Sequence, residues 1–140
     1  MKTVLVDTNV ALDILLNRSD FYPAAMSAFV LAEQNIITGY VSASSVTDIF
    51  YIASKDLGKN GAWKAIKHLL QVFYPAAVTG NDIYKALELE WDDFEDAVQF
   101  IVGESFSVDY IVTRNAADFA PGSIPAVTPE RLMRVMDLDD

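Results

Sequence analysis

Four aspartates, Asp7, Asp48, Asp96 and Asp118, are the residues of this 140-residue chain best placed to do chemistry together. Asp7 ends a short apolar run, Val4-Leu5-Val6, which reads as a strand buried on both faces, and Thr8 and Asn9 follow as helix-capping types. A carboxylate at the point where a buried strand gives way to a helix lies on the edge where open parallel sheets place ligands. Asp48 falls early in the helix after a second strand. Asp96 falls in the first turn of a helix that feeds a strong late strand, and Asp118 follows the end of that strand at Thr113. Helices of such a domain run antiparallel to its strands, so helix N-termini and strand C-termini share one edge, and all four acids are expected there.

Each acid alone has an ordinary explanation. Asp7 can cap the next helix, and Asp96 can complete a capping arrangement with an N-cap at Asp93. Asp48 can be an exposed first-turn acid and Asp118 a turn residue. Together they repel one another unless a cation binds them. A donor set of carboxylates without His or Cys suits the hard ions Mg²⁺ and Mn²⁺.

The elements that must hold these acids can be read along the chain. An apolar helical period runs through Val10, Leu12, Ile14, Leu15 and Leu16, and Asn17-Arg18-Ser19-Asp20 is a turn. Pro23 starts a second helix whose apolar positions cover more than one face, which points to burial against the sheet and against something else, a second copy of the chain being one option. Residues 36–41 form the second strand, and a helix over 46–57 is closed by Gly58. Asn60-Gly61 separates it from a helix containing Trp63 and Leu70. Residues 73–78, broken by Pro75, make a weak strand. Helices follow over 79–90 and from Asp92-Asp93 to about Ser105. The strand 109–113, a turn over 114–119, a minimal edge strand at 126–127 and a last helix from Thr128-Pro129-Glu130 complete the chain. This alternation predicts one α/β domain over residues 1–140, with a central parallel sheet of about five short strands flanked by helices on both faces.

Bulk properties narrow the options. At 52% apolar and 21% charged residues the composition is globular, and the absence of cysteine excludes disulfides, thiolate zinc sites and thiol catalysis. No apolar run reaches the ~18 residues of a membrane span, and no signal peptide is legible, so a cytoplasmic protein is expected. The net charge of −10 argues against simple electrostatic capture of nucleic acid, although bound divalent ions would reverse the sign locally. Lys55, Lys59, Lys64 and Lys67, with His68, are the one basic concentration, readable as solvated helix ends or as a phosphate-contacting surface. Seven acids between Asp82 and Asp96 read as a solvated face. Tyr22, Phe50, Tyr51 and Trp91 read as core or interface residues.

Asp7-Thr8-Asn9 after an apolar strand, Asp48, Phe94-Glu95-Asp96-Ala97, and Ile111-Val112-Thr113-Arg114-Asn115 with Asp118-Phe119 form an ordered set. The set resembles the PIN-domain family across nearly the whole chain, most closely its VapC-like toxin ribonucleases. The resemblance implies endonucleolytic cleavage of RNA dependent on Mg²⁺ or Mn²⁺, a homodimer, and inhibition by a small cognate antitoxin. Carried onto this sequence, it makes Asp7 and Asp96 the principal metal ligands, with Asp48 and Asp118 completing the acidic pocket. Asn9 and Thr113 would orient those carboxylates, and Asn115 would contribute from the turn.

Two departures stand out. Asp48 lies where Glu is usual, and Asn115 lies where many relatives carry another Asp. Asp93 competes for the metal if its helix begins later than expected. The alternative from a different class is a degenerate PIN scaffold that binds RNA or a protein without cleavage. A receiver-like phosphoacceptor lacks its paired acid before Asp7, and an Asp-x-Asp phosphatase is disfavoured by Asn9.

Overall fold

The computed structural model describes residues 1–18 and 20–139; Ser19, in the expected turn after the first helix, lies outside them. The strands are β1 (Lys2–Val6), β2 (Ile37–Ser42), β3 (Tyr74–Ala76), β4 (Tyr110–Val112) and β5 (Ala126–Val127). The helices are α1 (Thr8–Leu16), α2 (Tyr22–Glu33), α3 (Ala43–Val72), α4 (Gly80–Leu89), α5 (Phe94–Ser105) and α6 (Pro129–Asp139), with a 3₁₀ turn at Ala116–Phe119. All strand pairs are parallel, in the order β3-β2-β1-β4-β5. Five parallel strands between helices are what the alternation in the sequence predicts.

The sheet is covered on both sides because its central strands alternate between two apolar layers. Val4 and Val6 of β1 face the layer built by α1, α2, α3 and α6, whereas Leu5 faces the layer of α4 and α5. In β4, Val112 joins the first layer and Ile111 the second. A strand buried on both faces needs this continuous apolar run, and Pro75 is accommodated because β3 is an edge.

The strand order places the site. From β1 the chain adds β2 and β3 on one side, then returns to add β4 and β5 on the other. The crevice beyond the carboxyl ends of β1 and β4 is therefore the topological switch point, where open α/β sheets bind ligands. Asp7 leaves β1 there and Thr113 leaves β4, with the Asp7 N–H donating to the Val112 carbonyl at 2.9 Å.

Two details differ from what the sequence predicts. Gly58 does break the helix, at φ 73° and ψ 169°, but no linker follows, and Asn60 and Gly61 are already helical. The two halves of α3 fold back on each other at Gly58. Phe50 and Trp63, which a straight helix would separate by about 20 Å, meet edge-to-face with centroids 5.2 Å apart. The broad apolar surface of α2 is also explained in part within the chain, since α2 packs on α6 as well as on α1 and the sheet.

Candidate metal centre and active site

Asp7 is 5% exposed and is the N-cap residue of α1, yet its side chain caps nothing. Its backbone carbonyl accepts from Val10 and Ala11, which leaves the carboxylate free for other partners. Oδ2 accepts from the Thr113 hydroxyl at 2.8 Å, and Oδ1 accepts from the Gln99 side-chain amide at 3.0 Å. Two neutral donors on two elements fix the rotamer without neutralising the charge. The Thr113 hydroxyl also accepts from the Asn115 N–H at 3.1 Å, so the turn after β4 is tied to the same carboxylate. Asn9, expected to orient the acids, makes no side-chain hydrogen bond to them among the described residues; that place is taken by Gln99, fully buried on α5. The Oε1 of Gln99 has no hydrogen-bond partner among the described residues, an unsatisfied buried acceptor beside the site.

Asp96 lies in the first turn of α5. Asp93 is the N-cap, and its carboxylate accepts from the Asp96 N–H at 3.0 Å. Helix α4 begins with a complete version of the same motif. There Thr79 and Asp82 form a reciprocal capping box, with the Asp82 carboxylate accepting from the Thr79 N–H at 2.9 Å. On α5 only half the box exists, and no donor reaches the Asp96 carboxylate among the described residues. Burial, followed by the charges of Asp93, Asp7, Asp118 and Glu95, pushes the Asp96 carboxyl up to about 7. An acid without donors, held among other acids, adds no cap to its helix and carries a charge that a cation would offset.

Glu95, present in the family-like motif but given no role from sequence, belongs to the same field. It accepts from the Thr8 hydroxyl at 3.0 Å. Burial raises its pKa against that hydrogen bond, with Asp7, Asp48 and Asp93 adding to the rise. Asp48 is exposed near the start of α3 and acts through Glu95; it is not among the charges that act on Asp96. Asp118 lies on the 3₁₀ turn and joins Asp92, Asp93, Asp96 and Trp91 around an open cleft of ≈ 530 Å³. Part of the acidic run expected to be a solvated face thus lines this cleft. Asn115 is exposed, and its carbonyl accepts from the Asp118 N–H at 3.0 Å.

The donors are all carboxylate oxygens and their repulsion is unrelieved, which fits a hard divalent ion. Among the described residues no three acids already converge as a finished ligand set.

One structural latch is not legible in the sequence. Asp13, 1% exposed on α1, lies 3.1 Å from the Nε of Arg114 and 3.7 Å from Arg18. Burial raises the Asp13 pKa more than Arg114 and Arg18 lower it. The contact is an ion pair and not a directed hydrogen bond, since both Asp13 oxygens and the Arg114 Nε lack hydrogen-bond partners among the described residues. The guanidinium of Arg114 also stacks 4.1 Å from the ring centre of Phe21. Because Arg114 sits between Thr113 and Asn115, this pair clamps the turn after β4 onto α1, the helix that Asp7 opens.

Fold and site together define a PIN domain. A PIN-domain family model matches residues 3–117, and the chain belongs to that family. Ribonuclease VapC1 of Aquifex aeolicus (strain VF5) is 24% identical over 132 residues, covering 91% of this chain and 90% of that protein. Among solved structures, the sarcin–ricin-loop-cleaving toxin VapC20 of Mycobacterium tuberculosis matches with a TM-score of 0.69 at 17% identity, covering 85% of this chain and 95% of that one. A toxin–antitoxin complex from Klebsiella pneumoniae matches at 0.67 and 22% identity, covering 90% and 97%. At these identities the structural likeness carries the fold.

Two outcomes follow from the electrostatics. The raised pKa of Asp96 means that its ionisation opposes folding. In metal-free buffer, Asp96→Asn should match wild type below the ordinary value of 3.8, where Asp96 is protonated in both the folded and unfolded states. It should then become progressively more heat-stable than wild type as pH rises to about 7. Melting curves across that range test this. Arg114→Ala leaves the buried Asp13 with only the more distant Arg18 and should cost on the order of 3 kcal/mol at neutral pH. The deficit should shrink in acid as Asp13 takes up a proton, as read by denaturant titration.

Proposed function

We propose that this chain is an endoribonuclease that works with Mg²⁺ or Mn²⁺ and serves as the toxin half of a toxin–antitoxin pair. The observation that carries the reading is the Asp7–Asp96 arrangement: one carboxylate pinned by Gln99 and Thr113, the other left without a donor among like charges. Asp7 and Asp96 would hold the ion, with Asp118 reaching it from the turn after β4. Asp48 would act through water, since it is exposed and carries the shorter acidic side chain. When bound, the ion supplies charge neutralisation at the scissile phosphate and a more acidic attacking water. The protein's part is positional. Thr113 and Gln99 fix Asp7, Thr8 fixes Glu95, and the Asp13–Arg114 pair holds the turn that bears Asn115 and Asp118.

Membership of the PIN family, with VapC1 as a ribonuclease relative matched over most of its length, supports RNA as the substrate. The Klebsiella structure is a toxin–antitoxin complex, which supports a small protein inhibitor as the partner. A homodimer is proposed on an open apolar groove bordered by Tyr22, Met26, Val30 and Met133. Among the described residues no helix is long and apolar enough to cross a membrane, in keeping with action on RNA in the cytoplasm. The degenerate-scaffold reading draws on the unconverged acids and on Asn115 in place of an acid.

One set of variants decides between the two. Asp96→Asn should lose single-stranded RNA cleavage in Mg²⁺ while remaining folded, and Asp7→Asn should also lose Mn²⁺ binding in calorimetric titration. Wild type, freed of any antitoxin, that cuts no RNA in either ion would establish the scaffold reading. Equal Mn²⁺ affinity in wild type and Asp7→Asn would remove Asp7 from the metal site.

A further inference from the structure

The basic residues on α3 have no role in the site described above, and their surroundings are specific. Four of the chain's ten Lys and Arg lie between residues 55 and 67, in a protein of net charge −10. Arg18 and Arg114 are committed to buried Asp13. Lys55, Lys59, Lys64 and Lys67 are exposed, and none has a carboxylate within ion-pair reach among the described residues.

Asp48, Tyr51 and Lys55 are spaced three and four residues apart, so they share one face of the first half of α3. That face begins where α3 leaves the carboxyl end of β2, beside the carboxyl end of β1 that bears Asp7. Tyr51 is 61% exposed, and the Lys55 ammonium lies 4.5 Å from its ring centre. Lys59 follows immediately after the bend at Gly58, in an unbroken run of exposed residues from 55 to 60. On the returning half, Trp63 is 58% exposed, and Phe50 holds it edge-on.

We propose that this face of α3, starting at Asp48 and continuing into the exposed bend at Gly58, is the track on which single-stranded RNA leaves the acidic cleft, with Lys55 and Lys59 on its phosphates and Tyr51 stacked against a base. The inference rests on the ribonuclease reading for its ligand class and adds where and how the strand is held. Alternating cations and exposed aromatic rings are the chemistry of sequence-tolerant single-strand binding. Lysines without an ion-pair partner among the described residues are poorly suited to the core of a protein–protein interface, where Lys is depleted. A strongly acidic protein also repels RNA over most of its surface, so exposed lysines on the helix that bears Asp48 near its start supply the local attraction and set the direction of the strand.

The test is fluorescence anisotropy of a labelled single-stranded RNA in EDTA, where cleavage is off, across a salt series. Lys55→Glu and Lys59→Glu should each weaken binding about tenfold, and each should reduce the slope of log affinity against log salt by about 0.7 for the phosphate that is no longer neutralised. Tyr51→Ala should weaken binding by a similar factor through the absence of stacking, with the salt slope unchanged. Lys85→Glu makes the same change of charge at an exposed position on α4 and should leave both affinity and slope close to wild type.

Equal effects of Lys55→Glu, Lys59→Glu and Lys85→Glu would overturn the proposal, as would a wild type that binds no RNA. A Tyr51→Ala protein that binds RNA normally but sediments as a smaller species than wild type would make the face a protein interface and overturn it too. RNA that is bound through these lysines but not cut when Mg²⁺ or Mn²⁺ is added would leave the track standing and defeat the ribonuclease reading instead.

Discussion

A buried carboxylate at the end of the central strand sets the terms for the rest of this structure. Asp7 is only 5% exposed, and the fold supplies two neutral donors, Thr113 and Gln99, to its carboxylate oxygens. Those donors come from the end of β4 and from α5, so the position of both elements against β1 is part of the chemistry. β1 can present Asp7 to them only because it is central in the sheet and buried by apolar layers on both sides. Its apolar run and the acid that ends it thus form one device, a rigid rod with a charged tip at the switch point.

Around that tip the protein concentrates charge of one sign. Asp96 and Glu95 feel Asp7 from the first turn of α5, Asp118 acts on Asp96 from the turn after β4, and Asp48 acts on Glu95 from α3. Half of a capping box is given up at Asp96, whereas Asp82 keeps the whole of one. The contrast separates stability from function on two neighbouring helices that start with similar chemistry. The turn that carries Asp118 is anchored to α1 by the Asp13–Arg114 pair, so a buried ion pair of one kind braces a charged site of another.

The sequence is most informative where structure is decided locally. Strand β1, the acid that ends it, Asp96 in the first turn of its helix and the break at Gly58 all follow from apolar runs, capping types and turn chemistry. Gln99 does not stand out, because its bond to Asp7 spans 92 residues and only proximity in three dimensions creates it. Its single signal is a polar residue flanked by Val98, Phe100 and Ile101 on a buried helix. Asp13 leaves a similar trace on α1, a lone acid within the apolar period, whose partner Arg114 lies in the last third of the chain. Asn9 takes an orienting role by resemblance alone, and the bond to Asp7 is made by Gln99 instead. The separate helices expected on either side of Asn60-Gly61 become one bent element, because a single glycine can reverse a helix without a loop.

In the proposed metal site Asp96 would give up a proton on receiving the ion. Calorimetric titration of Mn²⁺ at about pH 6, repeated in buffers of different ionisation enthalpy, measures that proton directly. With a carboxyl at about 7, wild type should release close to one proton per ion bound, and Asp96→Asn should release almost none. Mn²⁺ binding by wild type with no proton release, or with a release that persists in Asp96→Asn, would contradict this account of the site.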